Sequence, residues 1–446
     1  MIRASIVLAI ALWGMAQVFS KPYVGTYLWT WVSLMNPHKL TWGILESIPF
    51  ALIIASLTGV GIVTGRQQKL NIWSPQTVVL LVLVLWVCLT TVFAVNQSGA
   101  IRELDRFLKT QIFIFLILWL ISDKEKLDGF IWIMVISIGY FGVKGGIFTI
   151  LTGGSSRVWG PEGSFIGGNN EIALAMLMTI PLMRYLQLQS GNIWVQRGLL
   201  AAMLLTAVAI LGTQSRGAFL GIVAIGAFFW WKSPRKLGSA MLVSIIALMV
   251  LMFMPQSWWD RMNTIETYQE DSSAMSRINS WWVAFRMAND SITGGGANMF
   301  TPSIFQKYAP NPDIVFDVHS IYFEMLGEQG WIGFFIFMLL AFLTWQSCGR
   351  LARQYRNIPN KKWIADLAPM VQVSLIGYYV SGAFLGLAYF DYYYDLIAVT
   401  IIAAKLGLES ANVPLNPPGE NTTSSAPHQA VGEPAWNPSS RGRDGT

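Results

Sequence analysis

Apolar runs of about 16–22 residues recur along the first 250 positions, separated by short polar breaks, and each is long enough to cross roughly 30 Å of hydrocarbon as a helix. The runs are apolar all round and lack period-two alternation, which excludes a transmembrane β-barrel. Composition agrees. Of the 446 residues, 54% are hydrophobic and 12% charged, with a mean hydropathy of +0.48. A soluble domain carries roughly twice that share of charge. The fold class expected is an all-α polytopic membrane protein.

Spans are expected near 3–20, 44–64, 75–95, 108–122, 128–150, 169–187, 195–213, 215–232 and 236–254. A long polar segment, 255–318, follows, and three further spans lie near 320–346, 365–387 and 391–408, about twelve in all. The organisation expected is therefore helices over 1–254, one large loop over 255–318, helices over 319–408 and a tail over 409–446. The aromatic stretch 24–36 is too short for a span and reads as interfacial or re-entrant. Met1–Ser20 resembles a signal peptide in its single Arg and apolar run, but Lys21-Pro22 and the lack of a small-x-small site favour a retained first helix. The tail is rich in Pro, Ser, Asn and Gly and reads as disordered.

Charge sets the orientation. With the N-terminus inside, most of the 30 Lys and Arg fall on the cytoplasmic side, and the basic loops 232–236 and 350–362 carry the bias. Both termini are then cytoplasmic and the long polar segment lies outside. These positions account for the pI near 9.2 without nucleic acid. Cys88 and Cys348 suggest neither a disulfide framework nor a zinc site. The three histidines and the scattered carboxylates offer no metal-ligand spacing, so no metal or cofactor is expected.

Outside arginines oppose the insertion bias. Arg102 and Arg106 are one helical turn apart and share a face. Arg157 sits in the glycine-rich loop 153–163, and Arg216 in the tight hairpin Thr213-Gln214-Ser215-Arg216-Gly217. Snorkelling to lipid phosphates accounts for any one of them. A bound polyanion accounts better for the set, because guanidinium grips phosphate bidentately and keeps its charge. In the long segment, Met275, Ile278, Trp282 and Phe285 form one apolar stripe on a helix capped by Asp271 or Ser272. That geometry turns Arg286 toward a buried cleft and leaves Arg277 on a solvated face. Gly294-Gly295-Gly296 ends this helix, either as a plain turn or as amides open to a phosphate. His319 stands where the segment re-enters the membrane, placed equally well to cap a helix or to take a proton from a hydroxyl. Asp391 and Asp395, among Tyr389, Tyr392, Tyr393 and Tyr394, read first as part of an aromatic belt and second as sugar contacts.

The run His319-Ser320-x-Tyr322-x-x-x-Leu326-x-Glu328-x-Gly330-x-x-Gly333 resembles the signature region of the O-antigen ligase and O-antigen polymerase superfamily, which includes pilin-type oligosaccharyltransferases. Ser215-Arg216-Gly217 opening a span and the large loop ahead of the histidine fit the same layout, over about residues 1–408. The resemblance implies a GT-C-like glycosyltransferase architecture in the bacterial inner membrane with a periplasmic active site. It implies transfer of a glycan from undecaprenyl diphosphate to an acceptor hydroxyl, which for the ligases belongs to the lipid A–core oligosaccharide. His319, Arg216 and Arg286 match the family's functional His and Arg positions, the last loosely because the loop varies. Arg102, Arg106, Arg157, Tyr322 and Asp391 are then candidates for holding substrate. A polymerase or a protein O-oligosaccharyltransferase shares the donor. A polyprenyl-glycan transporter calls for charges deep in the spans, where Lys144 is the only basic residue.

Overall fold

The computed structural model describes residues 2–40, 48–65, 70–232 and 272–409, with residues 256 and 259 between them. The expected span 236–254, the segment up to Asp271 and the tail from 410 lie outside the described residues. Among those described, the secondary structure is helical throughout, with no strand.

Helices α1 (Ile2–Val18), α2 (Tyr23–Met35) and α3 (Phe50–Thr64) pack against one another at one side of the bundle. At 1.5 Å per residue α2 is about 20 Å long, short of the hydrocarbon thickness. It is the aromatic stretch expected to stop short of spanning, and it also leans on α5 (Gln97–Leu120) and α6 (Lys124–Leu151). Helix starts follow local chemistry. The Ser74 hydroxyl accepts from Thr77 N ahead of α4 (Pro75–Val92), whose first residue is the proline that tolerates this position. Asn96 and Asp123 cap α5 and α6 in the same way.

Helix α7 (Asn169–Gln189) packs between α8 (Ile193–Gly212) and the later helices. The α6–α8 seam is close because small residues line it: a Cβ on Gly146 would lie 2.1 Å from the Leu205 carbonyl oxygen. Helix α9 (Arg216–Lys232) follows, then α10 (Ser272–Asp290), the short α11 (Pro302–Tyr308), α12 (Ile321–Gln354), α13 (Lys362–Gly382) and α14 (Asp391–Glu409). Helices α4, α6, α7, α8 and α12 are long and apolar enough to cross a membrane, with α1, α3 and α9 as shorter apolar helices. Their outward faces, with that of α5, expose Leu85, Ile112, Leu151, Leu204, Phe335 and Phe342, an apolar belt that only lipid suits.

The last helix is the centre of the bundle. Leu396 through Ile402 are buried on every side. Tyr392, Tyr393 and Tyr394 are fully buried too, which overturns their reading as an interfacial belt. The Tyr378 and Tyr393 rings stack at 4.4 Å, and the Tyr392 hydroxyl is 2.9 Å from Thr179 Oγ1. Their hydroxyls find partners inside, so these rings have no need of the interface.

Candidate active site

The site is assembled around a break in α12. Gly330 has φ +65 and ψ −177, a region essentially restricted to glycine, and it divides the helix into a short first segment and a long second one. The break strands carbonyls, and the three-glycine loop satisfies them: Gly295 N donates to Gly327 O and Gly296 N to Glu328 O, each at 2.9 Å. The glycines form a turn, as one sequence reading had it, with Gly294 N donating to Ser291 O at 3.2 Å. Two of the three amides are occupied as donors to α12, and the loop is packed too tightly for a free turn, since a Cβ on Gly294 would meet Gly327 O at 2.5 Å.

Helix α10 places the histidine. Asn279 Nδ2 donates to the carbonyls of Asn311 and Ile314 at 2.8 and 2.9 Å. Ser280 Oγ donates to Phe316 O at 2.8 Å and Trp281 Nε1 to Val318 O at 2.9 Å. One face of the helix thus holds the irregular 311–318 segment, whose backbone has no ladder of its own. The sequence stripe pointed the opposite way. Met275, Trp282 and Phe285 are 42%, 48% and 38% exposed, whereas Asn279, Ser280, Val283 and Ala284 are buried. The Phe285 ring meets Trp331, which stacks on exposed Phe335, so the apolar stripe continues the lipid-facing belt. An apolar stripe turns toward the less polar environment, and beside a bilayer that is the outside.

His319 follows directly, with φ +42, an uncommon conformation for a residue with a side chain. Its Nδ1 lies 3.6 Å from Asp317 Oδ2, and its ring packs 5.1 Å from that of Phe316. Burial holds the imidazole below its ordinary pKa, and the Arg277 charge pushes the same way against the Asp317 and Glu171 carboxylates. The neutral ring is therefore favoured near pH 7, the state a proton acceptor needs.

The arginines do not all converge. Arg277, expected on a solvated face, is half-buried and is the basic residue whose field reaches His319. Arg286, expected in a cleft, is exposed, donates from Nη1 to Tyr308 O at 2.8 Å and lies over Trp282 at 5.6 Å. Arg216 begins α9 at the same end of the bundle as His319. The Ser381 hydroxyl donates to Gly217 O at 3.0 Å, and the adjacent Gly382 packs on Ile321. Arg157 Nε donates to Gln214 Oε1 at 3.1 Å, and Arg157 shares a lateral pocket of about 240 Å³ with Lys144. Arg102 is exposed. The Arg106 guanidinium sits 3.1 Å from the Phe165 ring centre and 3.9 Å from Glu103.

Tyr322 donates to Tyr379 O at 2.9 Å, tying α12 to α13. Asp391 is buried, and its two oxygens accept from the hydroxyls of Ser33 and Thr110, the latter at 2.9 Å. It joins α2, α5 and α14 and is not positioned as a sugar contact. The aspartate opens a helix in the bundle's interior, not a surface loop.

Sequence reasoning gave no role to Asp317, Glu324 or Glu328. These carboxylates line a cavity of about 380 Å³ with Glu103 and Arg106. Glu324 Oε2 accepts from Ala388 N at 2.9 Å; Glu328 accepts from Asn298 N at 2.8 Å and from the Tyr389 hydroxyl at 2.9 Å. A signal was present, because positions 324 and 328 are one turn apart on the helix that starts just after His319. Among the described residues no group of three His, Cys, Asp or Glu is arranged to hold a metal ion.

Residues 201–338 match the family described as O-antigen ligase, and residues 2–190 match a family of unknown function. No curated protein matches the chain. The first match takes in Arg216, Arg277, Arg286, His319, both glutamates and the Gly330 break. With its signature run built around that break, and its helices sized for a bilayer, the chain is a membrane protein whose residues 201–338 are similar to the O-antigen ligase family.

Proposed function

We propose that this protein transfers a glycan from undecaprenyl diphosphate to a hydroxyl of the lipid A–core oligosaccharide, at the periplasmic face of the inner membrane. The observation that carries the reading is His319: half-buried, biased toward its neutral form, and within reach of the Arg277 charge in the region matched to the ligase family.

In this reading His319 takes the proton of the acceptor hydroxyl. The acceptor oxygen attacks the anomeric carbon as the bond to the diphosphate oxygen breaks, and the polyprenyl diphosphate leaves with the electron pair. Direct displacement inverts the anomeric centre. Arg277 and Arg216 stabilise the charge that develops on the leaving group, with Arg157 and Lys144 at the lateral pocket receiving the lipid-borne head. Arg286 keeps α10 and α11 together and stays out of the chemistry. Guanidinium groups neutralise the diphosphate, so no step calls for a metal. Asp317, too far from Nδ1 for a hydrogen bond, acts through its charge on the protonated imidazole.

The test is expression in a host that builds lipid-linked O-antigen but lacks its own ligase, with lipopolysaccharide resolved on a gel. A ladder that vanishes with His319→Ala supports the reading. A well-expressed protein that gives no ladder with its native donor and acceptor, yet lengthens lipid-linked glycans, is a polymerase instead.

A further inference from the structure

The cavity beside His319 has a character that does not suit a diphosphate. Four carboxylates, Glu103, Asp317, Glu324 and Glu328, face one cation, Arg106. The basic residues suited to phosphate lie elsewhere: Arg157 and Lys144 line a separate pocket that shares no residue with this one, and neither Arg216 nor Arg277 lines the cavity. Its volume of about 380 Å³ falls in the range of small-ligand pockets.

We propose that this cavity is the acceptor subsite and that it takes the terminal sugar of a glycan bearing no negative charge, a neutral hexose or an amino sugar. This inference rests on the glycan-transfer reading above. Carboxyl oxygens accept hydrogen bonds, and a sugar presents a ring of hydroxyl donors. Among the described residues Glu324 accepts through Oε2, leaving Oε1 for a hydroxyl. Arg106, held over Phe165, supplies the opposite polarity to a hydroxyl or ring oxygen. Phe165, Phe316 and Tyr389 offer faces to the C–H side of a pyranose. The cavity also reaches the base: Asp317 and Phe316 line it, and both adjoin His319. A sugar seated here presents a hydroxyl to the imidazole, while the diphosphate approaches from the arginine side. The more exposed carboxylates, Glu103 and Asp317, repel a phosphorylated or uronic terminal sugar, which makes the cavity a selectivity filter as well as a cradle.

The experiment uses the full chain in lipid nanodiscs and saturation-transfer NMR. The probes are a neutral disaccharide, its amino-sugar counterpart, and the same disaccharide carrying a phosphate or a uronic acid. The neutral and amino sugars are expected to receive saturation, and the anionic ones to bind at least about tenfold more weakly, as expected for one uncompensated charge near carboxylates. Phe165→Ala should lower the neutral-sugar signal several-fold, and Glu103→Gln should narrow the discrimination against the anionic sugars, with melting curves showing both variants folded. Equal binding of anionic and neutral sugars overturns the proposal. So does the absence of signal from any sugar, or displacement of the sugar by farnesyl diphosphate, which would make the cavity the donor's. Each of those results leaves the glycan-transfer reading intact if His319-dependent transfer persists in the same preparation. Loss of that transfer alone, with neutral sugars still selected, sinks the reading and not the cavity's preference.

Discussion

Two arginines on one helix, nine positions apart, should behave in opposite ways. Arg277 is half-buried and its charge acts on the histidine, whereas Arg286 is exposed and donates to the Tyr308 carbonyl at 2.8 Å. Removing a preorganised charge from a developing diphosphate costs about 2.7–4 kcal/mol of transition-state stabilisation, so Arg277→Gln should slow transfer by about 10²- to 10³-fold. Arg286→Gln removes one partly buried hydrogen bond, worth about 1 kcal/mol of stability, and should leave the rate per folded molecule within a few-fold. The assay is reconstituted transfer from purified lipid-linked donor, with thermal melting alongside to separate rate from folding. The pH profile supplies a second readout. The Arg277 charge disfavours protonation of His319, so its loss raises the imidazole pKa, and the acid limb of the rate profile should move to higher pH. Equal rate losses at both positions, or an unmoved acid limb in Arg277→Gln, would refute the assignment.

Other outcomes follow from single contacts. Asp317→Asn removes a charge that favours the protonated ring, so the acid limb should move to lower pH in a rate-against-pH series. Gly330→Ala forces a side chain into a glycine-only backbone region, costing about 1–3 kcal/mol, and sets a Cβ 2.3 Å from Ile292 O. It should lower the melting temperature by several degrees, while Gly59→Ala, with nothing within 4 Å, should not. Asp391→Ala leaves the Ser33 and Thr110 hydroxyls without their acceptor and should destabilise by about 2–3 kcal/mol, with transfer per folded molecule little changed. Chelation with EDTA should leave the initial rate within about twofold, since arginines carry the phosphate chemistry.

The chain by itself determined its solvent. Apolar length and the placement of Lys and Arg demand helices in a bilayer, whatever they pack against, because backbone polar groups there must be satisfied locally. It also carried His319 and the tight hairpin at Arg216, since a tyrosine-bearing helix start and a Ser-Arg-Gly turn are local patterns. Tertiary structure alone decided which side of α10 is inside. The stripe of Met275, Trp282 and Phe285 obeys helical periodicity, but periodicity names an apolar face without saying whether protein or lipid covers it. Here the apolar face points outward, and the face bearing Asn279, Ser280 and Trp281 turns inward because it donates to the carbonyls of the irregular segment 311–318. That inversion exchanged the burial expected for Arg277 and Arg286. The glycines were opaque for a similar reason: the partners of Gly295 and Gly296 are carbonyls stranded by a break at Gly330, far along the chain, and no local pattern announces a kink's needs. The acidic cavity joins α5, α12 and the loops before α12 and after α13, so its carboxylates became a site only when the bundle brought them together.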